Sequence, residues 1–162
     1  MYKNINLPIP GNVFLLLFIF LSCSTSVNED KNSGIYEIEI EKSGAYTEFL
    51  LSSYLDCRDG IASQIYSEEG ERKGNLYTFS EAENKAKRNR FYTSPQALGL
   101  NFSCSTLKVQ ESPRDSMSLF ITGYFNGKRI VQQKHTFYSY TEKEIKEMPI
   151  QTSYIIQLSK YK

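Results

Sequence analysis

The chain has 162 residues, with 19 Lys and Arg against 18 Asp and Glu, 12 Tyr, 10 Phe, no Trp, one His and three Cys. This length supports one domain rather than two, and the near-zero net charge argues against a nucleic-acid binder that relies on phosphate neutralisation. A single His leaves little material for a zinc site or a Ser–His–Asp centre. We therefore expect no cofactor, no metal and no nucleic-acid partner.

The N-terminal segment has the features of an export signal. Lys3 precedes an unbroken run of nine apolar residues, 13–21, and small polar residues follow that run. Nine apolar residues are too few to cross a bilayer, which takes about 20, but they fit the hydrophobic region of a secretory signal. The segment is therefore predicted to be a signal peptide.

Cys23 follows the apolar run directly and is preceded by Phe20, Leu21 and Ser22. This arrangement resembles the lipobox of bacterial lipoproteins, in a relaxed form similar to that of Bacteroidota-type lipoproteins. Ser22 fits the small residue of the pattern, whereas Phe20 and Leu21 depart from its strict form. The resemblance implies removal of residues 1–22 and lipid attachment at Cys23. The alternative is an ordinary signal peptide or an uncleaved anchor.

The residues after Cys23 are predicted to be a tether. Residues 24–33 are polar and contain no aromatic side chain, so they should be flexible, about 17 Å long as a random coil, and form the tether 23–33 together with Cys23. In the lipoprotein family, a residue other than Asp after the lipidated Cys implies the outer membrane, and Ser24 is such a residue. Residues 28–30 distantly resemble a surface-export signal, which leaves the cell surface and the periplasm both open.

Residues 34–162 are predicted to form a single all-β domain. Residues 36–41 alternate Tyr and Ile with Glu, the period-two pattern of a strand with one buried face. Residues 98–104 and 117–125 also alternate. We count about eight strands, which Tyr, Phe, Ile and Thr favour.

Turn signals separate these strands. Asn126 and Gly127 predict a type I′ hairpin, in which both central residues take positive φ, and Asp59 and Gly60 predict a second hairpin. Residues 80–88 and 141–147 are predicted to form short connecting helices, the second with a capping-box sequence.

The pattern favours an antiparallel two-sheet sandwich, immunoglobulin-like in the broad sense. A small lipocalin-like barrel is the alternative, because alternation along strands does not distinguish the two architectures. The opening strand and the hairpin resemble those of small Bacteroidota lipoproteins with β-sandwich bodies, and this resemblance implies no activity.

Cys57 and Cys104 lie in two different strand-like runs. Export places them in a compartment where disulfides persist, so we predict that they bridge the two sheets. The alternative is a pair of buried thiols, since Cys also behaves as a small apolar residue.

Two further groups are candidate functional sites. His135 is the only His, but no G-x-S-x-G motif accompanies it, and an ordinary strand residue is the favoured interpretation. Glu68, Glu69 and Glu71 lie in a Gly-flanked turn and offer oxygen ligands to Ca²⁺, but the D-x-D-x-D-G pattern is missing. No catalytic or metal site is therefore predicted.

Residues 115–117 (Asp-Ser-Met) resemble the O-glycosylation site of Bacteroidota exported proteins, which implies a glycan on Ser116. The aromatic content of 14% invites a carbohydrate-binding interpretation. The lack of Trp argues against it, as does the position of most Tyr and Phe in the alternating strands.

The sequence predicts a non-enzymatic binding or interaction module, anchored to the outer membrane through its lipid, with a protein or glycan partner. The alternative is a periplasmic immunity or inhibitor lipoprotein directed against a toxin or an envelope enzyme. A small hydrolase that uses His135 is a third hypothesis.

Overall fold

The structure, a computed structural model, describes residues 33–58, 62–111 and 114–162. The predicted signal peptide, residues 1–22, and Cys23 lie outside these ranges. Within them the chain forms ten strands and two short α-helices. The strands are β1 (Tyr36–Gly44), β2 (Leu51–Arg58), β3 (Ile65–Ser67), β4 (Arg72–Gly74), β5 (Leu76–Thr78), β6 (Arg88–Thr93), β7 (Gly99–Thr106), β8 (Ser116–Phe125), β9 (Lys128–Tyr138) and β10 (Ser153–Gln157); the helices are α1 (Glu81–Lys85) and α2 (Glu142–Glu147).

The strands form two antiparallel sheets packed face to face. A wide sheet has the order β4-β3-β6-β1-β8-β9, and a narrow sheet has the order β10-β7-β2-β5. Neither sheet closes on itself within the described ranges, so the sandwich prediction is confirmed and the barrel alternative is wrong. Neither described helix has the length and apolar character needed to cross a membrane.

The core lies between the sheets and follows the alternation seen in the sequence. Tyr36, Ile38 and Ile40 of β1 are buried, as predicted, while the acids between them face outward. From the narrow sheet, Leu55 and Phe102 face them from the other side of the core. Each large apolar side chain buried in this way contributes roughly 1.5–3 kcal/mol.

The predicted hairpin between β8 and β9 is confirmed. Asn126 and Gly127 have φ of 48° and 77°, as a type I′ turn requires. The Asn126 Oδ1 accepts the Ile35 N–H at 2.9 Å, and the Asn126 N–H donates to the Ile35 carbonyl at 2.8 Å. The hairpin tip therefore lies at the same end of the sandwich as the start of β1.

The second predicted hairpin is wrong. Asp59 and Gly60 lie outside the described residues, but the strands that flank them belong to different sheets. β2 pairs with β5 and β7 in the narrow sheet, whereas β3 pairs with β4 and β6 in the wide sheet. The Asp-Gly signal indicates a change of direction, and it does not determine which strand the chain pairs with next.

The two predicted helices form as short connections. In α1 the Ser80 side chain accepts from the Glu83 N–H while Glu83 reaches back to the Ser80 N–H, and Thr141 and Glu144 do the same in α2. These reciprocal bonds are capping boxes, which satisfy N–H groups that the first helical turn leaves free.

A lysine continues the inward-facing side of β1. Lys42 is 1% exposed, and its Nζ donates to the carbonyl oxygens of Glu83 at 2.8 Å and Ala86 at 2.7 Å. Burial lowers the pKa of Lys42 to about 8. The ammonium therefore holds the last turn of α1 against the wide sheet.

Candidate functional site

The outward face of the wide sheet carries a regular set of side chains on three adjacent strands. In each row the register aligns an acid of β1 with one residue of β8 and one of β9. Neighbouring strands lie about 4.8 Å apart, so each row extends across roughly 10 Å. The rows, which we call the outer array, are Glu37–Tyr124–Arg129, Glu39–Thr122–Gln132 and Glu41–Phe120–Lys134.

Arginines of β6 neutralise two of the three acids. Arg90 donates to the Glu37 carboxylate through Nε at 3.1 Å and Nη2 at 2.7 Å, and the Arg88 Nε lies 3.0 Å from Glu39. Each arginine reaches the acid one row away from its own register partner. Among the described residues this leaves Glu41 exposed and without a basic partner.

The outer array encloses a shallow cleft of about 300 Å³. Phe120 and Tyr124 of β8 lie in its middle, one on each side of Thr122 along the strand, with the acids of β1 on one side and Gln132 of β9 on the other. The cleft thus combines apolar ring surfaces with hydrogen-bond donors and acceptors. Its lining residues are Glu39, Glu41, Phe120, Thr122, Tyr124, Arg129 and Gln132.

The outward face of the narrow sheet has a different character. Tyr54, Leu76 and Ile155 are 41%, 63% and 61% exposed, and the side chains among them are mostly Ser, Thr and amides. Asp56 is the one acid on this face, and no basic side chain is described there. The Asn101 Nδ2 donates to the Asp56 Oδ2 at 3.1 Å.

Loops meet around a lysine at the end of the sandwich opposite the hairpin tip. The Lys108 Nζ lies 2.7 Å from the Glu48 Oε2 and 2.6 Å from the Asp115 Oδ2, and 5.3 Å from the centre of the Phe49 ring. Hydrogen bonds to Asp115 and Glu48 raise the pKa of Lys108, and the bond from Lys108 lowers the pKa of Asp115. We call Glu48, Lys108 and Asp115 the loop cluster.

The acidic turn between β3 and β4 is partly neutralised. The Lys73 Nζ lies 2.7 Å from Glu71, and the Arg90 Nη1 lies 3.8 Å from Glu68. Ca²⁺ takes about six to eight oxygen ligands, and two of the three carboxylates of this turn already contact cations of the chain. The turn is therefore a poor donor set for Ca²⁺.

Cys57 and Cys104 hold no disulfide. Both face the interior, but they lie on adjacent strands of the same sheet, where Cys57 is in register with Leu100 and Cys104 with Ser53. Leu100 and Cys104 are four residues apart on β7, about 13 Å, whereas a disulfide requires Cα atoms within about 7 Å. The predicted bridge is wrong, and burial raises the pKa of the Cys104 thiol.

His135 packs as an interior residue at the edge of the sandwich. Its ring stacks on Tyr154, with centroids 4.7 Å apart, and meets Phe137 edge-on at 4.5 Å. The Nε2 is buried with no hydrogen-bond partner among the described residues, and burial lowers the pKa of the imidazole. A general base needs a nucleophile within reach, and the described contacts of His135 are aromatic.

Ser116 is the first residue of β8 and is exposed. The carboxylate of its neighbour Asp115 is bonded to Lys108. The structure thus leaves the predicted glycosylation site accessible.

The outer array was not predicted from the sequence. Its signal was present as the outward half of alternating strands: the acids of 36–41 and the Phe, Thr and Tyr of 117–125. Alternation shows that these residues face solvent, but only the register shows that they are neighbours.

Three solved structures are similar to this fold. A crystal structure of a DUF4425 family protein from Bacteroides ovatus has a TM-score of 0.64 at 14% identity, and the match covers 78% of this chain and 96% of that one. For a DUF4425 domain of unknown function from Bacteroides vulgatus, the TM-score is 0.59 at 17% identity, covering 78% and 92%. For an NMR structure of the calcium-bound form of a protein from Parabacteroides distasonis, it is 0.60 at 20% identity, covering 77% and 93%.

These likenesses show the fold, and a sequence model of one protein family adds the family. No significant match was found among curated proteins. The family model, described as "PLAT/LH2 and C2-like Ca2+-binding lipoprotein", matches residues 10–151. The predicted resemblance to Bacteroidota-type lipoproteins with sandwich bodies is confirmed. Because the match covers most of its length, the chain belongs to the family of PLAT/LH2 and C2-like Ca²⁺-binding lipoproteins.

Proposed function

We propose that the protein is a non-enzymatic, lipid-anchored binding module of the outer membrane. In this proposal residues 1–22 are removed, Cys23 carries the lipid, and the single domain 34–162 stands off the membrane on the tether 23–33. Membership of a lipoprotein family supports the anchor. The lipobox-like residues before Cys23 support its position.

We further propose that the outer array binds a neutral oligosaccharide. The observation that carries this proposal is the row-by-row alignment of acids, aromatic rings with Thr, and amide or basic side chains across the wide sheet. Phe120 and Tyr124 offer flat rings on which the C–H face of a sugar stacks. Glu41 and Gln132 offer planar acceptors and donors to hydroxyl groups on either side. The cleft of about 300 Å³ is large enough for a small ligand.

The charges around the cleft favour a neutral ligand over an ionic one. Glu37 and Glu39 are each paired with an arginine of β6. The remaining acid, Glu41, shares its row with Lys134, whose Nζ lies 5.2 Å from the centre of the Phe120 ring, and Arg129 lies two rows away. Because charges of both signs are interspersed, the cleft has no strong field of one sign that would attract an anion or a cation.

Binding to arrays of neutral gluco-, manno- and galacto-oligosaccharides tests the proposal, with the full chain purified in detergent. We expect the wild type to bind at least one class and Phe120→Ala to weaken that binding by up to about tenfold, because one aromatic contact contributes about 0.5–1.5 kcal/mol. Tyr54→Ala is the matched control, since Tyr54 is 41% exposed on the narrow sheet and Phe120 is 37% exposed on the wide one.

Two outcomes would contradict the glycan proposal. One is the failure of every neutral oligosaccharide to bind, and the other is an equal loss of binding in Phe120→Ala and Tyr54→Ala. A protein partner whose capture depends on Tyr54 and not on Phe120 would favour the inhibitor alternative.

The anchor is tested separately by labelling cells with a palmitate analogue. We expect the wild type to be labelled and Cys23→Ala to be unlabelled and released from membranes; a labelled Cys23→Ala protein would rule out this attachment site. Protease treatment of intact and permeabilised cells then distinguishes the cell surface from the periplasm.

The proposed glycan on Ser116 has its own test. The mass of the purified wild type should exceed that of Ser116→Ala by a glycan. Equal masses, after allowance for the missing oxygen atom, would exclude the modification.

A further inference from the structure

The family is described as Ca²⁺-binding, but the side chains within the described ranges do not form a set of ligands for Ca²⁺. Ca²⁺ takes about six to eight oxygen ligands, yet no group of three or more acidic, His or Cys side chains within the described ranges could hold a metal ion. Asp56 and Asn101 offer a carboxylate and a buried amide oxygen that has no partner among the described residues. Two such ligands are too few, so the described side chains do not fit the ion.

The loop cluster is where carboxylates from separate loops converge, and a cation of the chain already lies between them. Glu48 comes from the loop between β1 and β2, and Asp115 from the loop between β7 and β8, yet both contact the same Lys108 Nζ. A divalent ion would bind two such carboxylates as part of its set of ligands. Here the Lys108 ammonium, which has three N–H donors, contacts both carboxylates instead.

The backbone holds this arrangement in place. The Lys108 carbonyl accepts the Tyr140 N–H at 2.9 Å. Asp115 and Ser139 exchange two bonds: the Ser139 N–H donates to the Asp115 carbonyl at 2.9 Å, and the Asp115 N–H donates to the Ser139 Oγ at 2.8 Å. The Lys108 side chain is 16% exposed, so the charge is sheltered, and the loop that holds Lys108 and Asp115 is fixed to the segment after β9.

We propose that Lys108 is a built-in cation, whose ammonium takes the place of a divalent metal between Glu48 and Asp115. The loops at this end of the sandwich are then cross-linked without Ca²⁺. The loop cluster lies at the end of the sandwich opposite the hairpin tip, and its role does not depend on what the outer array binds.

Thermal unfolding of the full chain in detergent tests this proposal, in CaCl₂, in MgCl₂ and in EDTA at matched ionic strength. We expect Asp115→Asn to lower the melting temperature of the wild type by the same amount in all three, because Asp115 bonds an ammonium and not a metal ion. A loss confined to CaCl₂ would identify Asp115 as a calcium ligand and overturn the proposal.

Removal of the ammonium provides the second arm. Lys108→Met should lower the melting temperature equally in EDTA and in CaCl₂, because the two carboxylates left without their cation are fewer than the about six to eight oxygen ligands that Ca²⁺ takes. Adding Asp115→Asn to Lys108→Met should lower the melting temperature little further, because Asp115 has already lost its cationic partner. Lys108→Arg is the matched control, because it keeps the charge and should keep most of the wild-type melting temperature.

A Lys108→Met protein that melts at the wild-type temperature would overturn the proposal. If Lys108→Met does not fold, the Asp115→Asn comparison in the three solutions still decides between an ammonium and a calcium ion.

Discussion

The two outward faces of the sandwich are built from strands of the same alternation and carry different chemistry. On the wide sheet, acids of β1 lie beside aromatic and basic side chains, with a cleft among them. On the narrow sheet, Tyr54, Leu76 and Ile155 lie among Ser, Thr and amide side chains, with Asp56 as the only described charge. The fold requires only that each face be compatible with water, and this difference between the faces is the reason that we propose the outer array as the binding surface.

The largest effect on stability is expected when a buried residue of β8 is changed, and a change at an exposed residue of the same strand should have a much smaller effect. Leu119→Ala, inside β8, should lower the free energy of unfolding by about 3 kcal/mol, because it leaves a cavity in the core. Phe120→Ala and Tyr54→Ala, on the two outward faces, should each cost less than about 1 kcal/mol. Urea denaturation measures all three. A loss for Phe120→Ala as large as that for Leu119→Ala would mean that the ring serves the fold and not a ligand.

The next prediction concerns the inward face of the wide sheet, which contains a lysine. The folded pKa of Lys42 is about 8 against an ordinary value of 10.5, so between these values the unfolded chain holds a proton that the folded chain has released. The stability contributed by Lys42 therefore rises as the pH rises from 8 to 10.5, by up to about 3 kcal/mol. The wild type minus Lys42→Met difference in unfolding free energy should show this rise. A difference that stays constant over this range would contradict it.

The smallest effect is expected at the edge where β9 meets β10. Burial lowers the pKa of His135 below 6.5, so the unfolded chain takes up a proton first as the solution is acidified. The wild type should therefore lose stability as the pH falls below 6.5, and His135→Gln, which does not titrate, should lose less. Melting temperatures from pH 7 to 5 measure this loss of stability. Identical profiles for the two proteins would show that His135 does not contribute to it.

Local features of this fold could be predicted from sequence because local physics determines them. The alternation over 36–41 predicted that β1 has one buried face, because side chains two residues apart lie on the same face of a strand. Asn126 and Gly127 predicted their hairpin through the positive φ that both residues take in the turn. The capping box at Thr141 could be predicted because its bonds join two residues that are only three positions apart in the chain.

Features that depend on the pairing of distant strands could not be predicted. Glu48 and Lys108 are 60 residues apart in the chain, and nothing near either residue indicates that they meet. The outer array depends on the register of β1, β8 and β9. The disulfide between Cys57 and Cys104 was wrongly predicted for the same reason, because the distance between the two residues depends on how β2 and β7 align. Asp59 and Gly60 predicted a hairpin where the chain passes between sheets.

The position of β1 has a mechanical consequence. The strand lies inside the wide sheet, antiparallel to β6 on one side and β8 on the other. A pull along its axis from the residues before Tyr36 loads the hydrogen bonds on both flanks together, in shear, and does not open them one after another. Three side chains of the outer array belong to the same strand. Tension between a bound ligand and the N-terminal segment would therefore travel along β1, a strand paired on both sides within the sheet.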